Sequence, residues 1–120
     1  MGLEQPISSS DNFFVGEDKT IVFDVKDTDG VSALTMTGWA LTWELKASAG
    51  GVISITKTTA AATIVLSNKY GTNDRASVTI LDTDTEAIAA GSYYHHLRRT
   101  DAGYEQILAF GDVSLRESGL

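Results

Sequence analysis

A chain of 120 residues has room for one ordinary domain of roughly 100 to 150 residues and no second one. Its hydrophobic share of 42% and charged share of 21% lie away from the low-hydrophobicity, high-charge compositions that keep chains disordered. Nine Lys and Arg against sixteen Asp and Glu leave a net charge of −7, which repels a polyphosphate and argues against nucleic acid as a partner. The absence of cysteine removes disulfides, zinc thiolates and thiol nucleophiles together.

Residues 1–12 read as an extended N-terminal arm ahead of a single domain at 13–116. Met1 to Ser10 lacks the basic-then-apolar pattern of a secretory signal, and no stretch approaches the roughly 18 apolar residues of a membrane span. The expectation is a soluble protein made in the cytoplasm, without a membrane partner. Leu3, Pro6 and Ile7 make the arm too apolar for an ideal solvated tail and too short to fold alone, so it is expected to lie against a neighbouring subunit.

Beyond the arm, period two dominates the chain. Thr20 to Val25 places Ile21, Phe23 and Val25 on one face and closes at the turn cluster Asp27-Thr28-Asp29-Gly30. From Trp39 to Lys46, Trp39, Leu41, Trp43 and Leu45 alternate with Ala40, Thr42, Glu44 and Lys46, the signature of a half-buried strand. Ala49-Gly50-Gly51 reverses the chain into Val52 to Lys57, forming a hairpin. Thr63 to Leu66 and Ala76 to Leu81 make a second hairpin across the polar turn Ser67 to Asp74. Asp84 to Ala90 is the one helical stretch, capped by Thr83 or Asp84 and stopped by Gly91. Tyr93 to Arg99 and Glu105 to Leu115 form a third hairpin across Thr100 to Gly103, with a bulge expected at Gly111.

Short strands at regular spacing predict an all-β fold: an antiparallel immunoglobulin-like β-sandwich of seven to nine strands with at most one short helical crossover. A small barrel is the alternative. Trp43 in mid-strand and Tyr93 after Gly91-Ser92, placed as a tyrosine corner, favour the sandwich. The predicted core comprises Phe23, Leu41, Trp43, Ile64, Val78, Tyr93, Leu97 and Val113, with Trp39 at its margin.

Candidate chemistry is sparse. His95 and His96 are adjacent, so a strand sends them to opposite faces and they cannot share a metal. His95 is expected inward as a hydrogen-bonded core or rim histidine, and His96 outward beside an exposed Tyr94 and Arg98. Asp24, Asp27, Asp29 and Gly30 resemble a calcium loop but lack its remaining ligands. Asp82, Asp84 and Glu86 could gather a hard cation if extended, yet read better as carboxylates at the positive end of a helix turn. No paired acid and base emerges at a mechanistic spacing, so the chain is read as not an enzyme, with no metal and no cofactor.

Several motifs share an order: Phe14-Val15-Gly16-Glu17-Asp18-Lys19-Thr20, Val25-Lys26-Asp27 with Gly30, and Leu34-Thr35-Met36-Thr37-Gly38-Trp39 leading into Leu41-Thr42-Trp43. Asp82-Thr83, Ala90-Gly91-Ser92-Tyr93-Tyr94, Arg98 with Asp101 and Gly103, and Leu108 with Gly111 and Val113 complete it. This order resembles the immunoglobulin-like structural proteins of tailed bacteriophages and is similar to the N-terminal domain of phage baseplate upper proteins, over about residues 13 to 115. The resemblance implies a non-catalytic structural component of a virion (head, neck, tail or baseplate), made in the bacterial host cytoplasm. It would act through contacts with other virion structural proteins, homo-oligomeric or multi-copy in a symmetric particle. Leu3, Pro6 and Ile7 of the arm and Tyr94, His96 and Arg98 of the seventh strand are the expected interface. The alternative is a host-surface adhesion module of the virion, binding glycan by stacking Tyr70, Tyr94 or Tyr104 on sugar rings.

Overall fold

The computed structural model describes residues 3–4, 13–26, 34–48 and 50–117. Among them run eight strands and one helix: β1 (Leu3–Glu4), β2 (Lys19–Asp24), β3 (Leu41–Lys46), β4 (Ile53–Thr58), β5 (Ile64–Ser67), β6 (Arg75–Ile80), α1 (Asp82–Glu86), β7 (Gly91–Arg99) and β8 (Gln106–Leu115). They form a five-stranded sheet in the order β1-β8-β7-β3-β4 and a three-stranded sheet in the order β2-β6-β5. Every pairing between these strands is antiparallel except that of β1 with β8. The fold is an all-β sandwich, and the three predicted hairpins are β3–β4, β5–β6 and β7–β8.

Alternation explains the packing. Ile21 and Phe23 of β2, Ala76, Val78 and Ile80 of β6 and Ile64 of β5 point from the smaller sheet into the core. Leu41, Trp43 and Leu45 of β3, Leu97 of β7 and Val113 of β8 meet them from the larger sheet. Seven of the eight predicted core residues are buried, and Tyr93 is half-buried against the same cluster. Phe13 and Met36 are also fully buried. Both lie in non-strand segments, where no period marks them.

Two local expectations change. The helix spans Asp82–Glu86 rather than Asp84 to Ala90, with Leu81 at its N-cap. The cause is local hydrogen bonding: the Leu81 N–H donates to Asp84 Oδ2 at 2.7 Å and the Asp84 N–H to the Leu81 carbonyl at 2.9 Å, which starts the turn earlier. The helix ends early as well, and the Ala89 carbonyl accepts the Tyr93 hydroxyl instead. The β7–β8 irregularity lies where Leu97 pairs Ala109 and Arg98 pairs Ile107, so Leu108 is the extra residue and Gly111 stays in register opposite His95. The expected turn at Asp27 to Gly30 lies outside the described residues. Gly50, in the β3–β4 turn, has φ 77°, a left-handed backbone that favours glycine.

The N-terminal segment touches β8 twice. Leu3 and Glu4 pair in parallel with Ala109 and Phe110 of their own chain. Phe14 bridges Arg116 in the same sense, through Val15 N–H to Arg116 O at 2.8 Å and Arg116 N–H to Phe13 O at 3.0 Å. Leu3 is therefore seated on its own sheet, while Pro6 and Ile7 lie outside the described residues.

Candidate functional site: the outer sheet face and the loop end

Strand alternation sends His95 and Leu97 of β7 into the core and Tyr94, His96 and Arg98 to the opposite, outer face of the five-stranded sheet. The register sets Lys46, Glu44 and Thr42 of β3 beside Tyr94, His96 and Arg98 respectively. On the other side Asp112 and Phe110 of β8 lie beside Tyr94 and His96. The three β7 residues picked out in the sequence thus share one face.

At its centre is a polar pair. His96 Nε2 donates to Glu44 Oε1 at 2.8 Å, and Arg98 Nε stands 3.7 Å from the same oxygen. Glu44 is 7% and His96 9% exposed, so His96 points away from the core yet is not open to solvent. Tyr94 is half-buried rather than exposed. The reason is position: β7 runs between β8 and β3, and long side chains from both neighbours cover a central strand. Burial pushes the His96 pKa below its ordinary value of 6.5, overriding the opposing pull of Glu44, while Lys46 and Arg98 push the same way as burial. The ring is neutral at pH 7 and holds its proton on Nε2 toward the carboxylate. Glu44 and Lys46 carry no site signal in the sequence, because they read as ordinary polar positions of an alternating strand until β7 is placed beside them.

On the inner face, Trp43 Nε1 donates to His95 Nδ1 at 3.0 Å, with both side chains fully buried. Phe23 of the other sheet meets the His95 ring at 5.7 Å between centroids. The two histidines therefore occupy separate environments on opposite sides of the sheet. The carboxylates of α1 serve structure: Asp84 accepts from Leu81 N–H and pairs with Lys57 Nζ at 2.6 Å, and Asp82 accepts from Thr83 N–H. Among the described residues no three His, Asp or Glu side chains gather where a metal could sit.

A second cluster, which no sequence motif marks as a group, lies where three loops meet. The segment 34–40 bonds to 68–74 through Met36 N–H to Asn73 O at 3.0 Å and Asn73 Nδ2 to Thr37 Oγ1 at 2.9 Å. It bonds to the β7–β8 turn through Thr100 N–H to Ala40 O at 2.8 Å and Ala40 N–H to Asp101 Oδ2 at 3.0 Å. On this frame the Arg99 guanidinium lies 4.0 Å from the Trp39 ring centroid and 4.8 Å from that of Tyr104. Its Nε donates to Asp101 Oδ2 at 2.7 Å. Nearby, Lys26 and Lys69 stand 5.4 and 5.2 Å from the Tyr70 ring centroid. Tyr70 is 75% and Tyr104 65% exposed. Of the three tyrosines picked out as sugar-stacking candidates, these two share the loop end and Tyr94 belongs to the sheet face. The backbone of 68–74 is shaped by Asp74, whose buried carboxylate accepts Lys69 N–H at 2.7 Å and Tyr70 N–H at 3.0 Å.

No protein-family model matches this sequence, and no curated protein matches it.

Proposed function

We propose that this chain is a non-catalytic structural component of a tailed-phage virion, acting through protein contacts in a multi-copy assembly, and that its sandwich is of immunoglobulin type. Three details support the fold assignment. The strand order sets β2, β6 and β5 against β8, β7, β3 and β4. The Tyr93 hydroxyl returns to the Ala89 carbonyl four residues upstream, as a tyrosine corner does. Finally, His95, two residues after Tyr93, packs with Trp43 and Phe23 in the place where disulfide-bearing immunoglobulin domains join their sheets.

The observation that carries the functional reading is the outer face of the five-stranded sheet. Tyr94 and Arg98 flank a desolvated Glu44–His96 pair, and aromatic residues and arginine are enriched where protein interfaces form. Since Leu3 and Glu4 pair with β8 of their own chain, arm contacts to a neighbour fall to Pro6 and Ile7. The adhesin reading is less well supported, because the exposed tyrosines already hold cations against their rings: Lys26 and Lys69 at Tyr70, Arg99 at Tyr104. A sugar stacking on Tyr70 or Tyr104 would have to share the ring with those cations or displace them.

The test is immunogold electron microscopy of particles purified from a host culture producing this protein. The expected result is labelling at one fixed part of the particle, lost when Tyr94→Ala and Arg98→Glu are combined in a chain that still folds. Unlabelled wild-type particles would overturn the virion reading, and full incorporation of the double variant would remove this face from it.

A further inference from the structure

We propose that Arg99 is a receptor for a carboxylate: the Nη edge of its guanidinium, packed against the rings of Trp39 and Tyr104 at the loop end, binds an aspartate or glutamate side chain of a partner protein. Such binding does not depend on the particle reading and would hold for any protein partner.

The arginines of this chain use their donors differently. Arg75 spends both Nε and Nη2 on Asp24, at 2.7 and 3.1 Å. Arg99 gives only Nε to Asp101, and its two Nη groups make no hydrogen bond to any described residue. No buried side-chain nitrogen or oxygen among the described residues lacks a partner, so these Nη groups are not sealed from water, on a side chain that is 19% exposed. The remaining donors form a planar fork that matches the two oxygens of a carboxylate.

The fork is also held in place. The guanidinium carbon lies 4.0 Å from the Trp39 ring centroid and 4.8 Å from that of Tyr104, and Nε is tied to a carboxylate that itself accepts the Ala40 N–H at 3.0 Å. Binding then orders little that is not already ordered, the condition under which few contacts give useful affinity. Tyr104, largely exposed, offers an apolar wall beside the fork for the residue flanking the acid. Trp, Tyr and Arg together are the side chains that dominate interface energetics. The net charge of −7 selects among anions: it opposes a dianionic phosphate more than a single carboxylate.

Nuclear magnetic resonance titration of the isotope-labelled full chain tests this with two blocked peptides, acetyl-Leu-Glu-Leu-amide and acetyl-Leu-Gln-Leu-amide. The glutamate peptide is expected to shift the Arg99 Nε–H and the Tyr104 amide saturably, and the glutamine peptide to bind about tenfold more weakly or worse. Arg99→Lys should lose about tenfold as well, because an ammonium cannot reproduce the fork. Tyr104→Ala, at an exposed position, should weaken binding severalfold with an unchanged unfolding midpoint. Equal binding of the two peptides, shifts that fail to saturate, or tighter binding of inorganic phosphate at Arg99 would each overturn the proposal.

Discussion

Trp43 Nε1 and His95 Nδ1 are joined by a 3.0 Å hydrogen bond between adjacent strands of one sheet, in the middle of an otherwise apolar core. An indole N–H can only donate, so Nδ1 must be the unprotonated nitrogen and the imidazole is held as the neutral Nε2–H tautomer. Two polar groups that would each be costly to bury alone thus satisfy one another. The contact continues into the other sheet through the tilted stack of His95 on Phe23. In a chain with no cysteine, this triad is how the two sheets are joined at their centre.

Trp43→Phe removes the donor, leaves Nδ1 without that partner and opens a void, for an expected loss of about 2 to 4 kcal/mol in urea unfolding. His95→Phe keeps a ring against Phe23 but strands the indole N–H, at about 1 to 3 kcal/mol. A Trp43→Phe cost below about 1 kcal/mol would mean the hydrogen bond contributes nothing beyond packing.

Lys57 is the inward-facing residue of β4 that the alternation gives to the core, and it reaches α1 instead, meeting Asp84 at 2.6 Å with 10% and 22% of the two side chains exposed. Burial works to raise the Asp84 pKa, but the bonds from Lys57 and the Leu81 N–H outweigh it and hold the group below 3.8. Removing one partner leaves the other desolvated, so Lys57→Met should cost about 1 to 3 kcal/mol, and adding Asp84→Asn, which removes the charge but keeps an acceptor for the Leu81 N–H, should recover part of it. A double-mutant cycle measures this. Additive losses would show that the pair is not coupled.

How much of this is legible in the sequence differs by element. Strands β3 and β6 stand out because each alternates apolar and polar residues strictly, and alternation fixes which side chains enter the core, as with Trp43 and Val78. Burial on the outer face has no such code. Glu44 and His96 lie 52 residues apart, and their pairing exists only once β3 and β7 are registered. The Trp39–Arg99–Tyr104 stack is hidden for the same reason, since it is assembled by bonds between three loops whose residues look like ordinary turn chemistry. Helix α1 departs from its expected place because its start depends on Asp84 reaching back to Leu81 and on Thr85 accepting the Gly16 N–H across the fold, and only the first of these is local.

Asp74 governs the loop that carries Tyr70. Hydrogen bonds from the Lys69 and Tyr70 N–H groups hold its carboxyl below the usual range against the effect of burial. Asp74→Ala removes the acceptor, so the Lys69 and Tyr70 amides should exchange with solvent faster by on the order of tenfold, while core amides of β3 and β7 change little. Unchanged protection at both amides would show that the loop is shaped by something other than this carboxylate.

The Glu44–His96 pair makes stability depend on pH in a defined direction. Burial lowers the folded-state pKa of His96 below 6.5, so between that lowered value and 6.5 the unfolded chain binds a proton that the folded chain refuses. Stability must then rise with pH across this window, be fully present above it, and be lost as pH falls through the folded value. The charged groups facing the ring are Glu44, which resists the shift, and Lys46 and Arg98, which add to it. Asp24, held low mainly by Arg75, and Asp101, held low mainly by Arg99, contribute in the same sense but below 3.8, well separated from the histidine window. His96→Gln keeps a donor for Glu44 and removes the titration. Between about pH 5 and about pH 7 the wild type should therefore lose more stability on acidification than the variant, and the two curves should run parallel above that range. If the variant loses as much, the acid sensitivity belongs to another group, and the desolvation inferred at the centre of the sheet face does not act on His96.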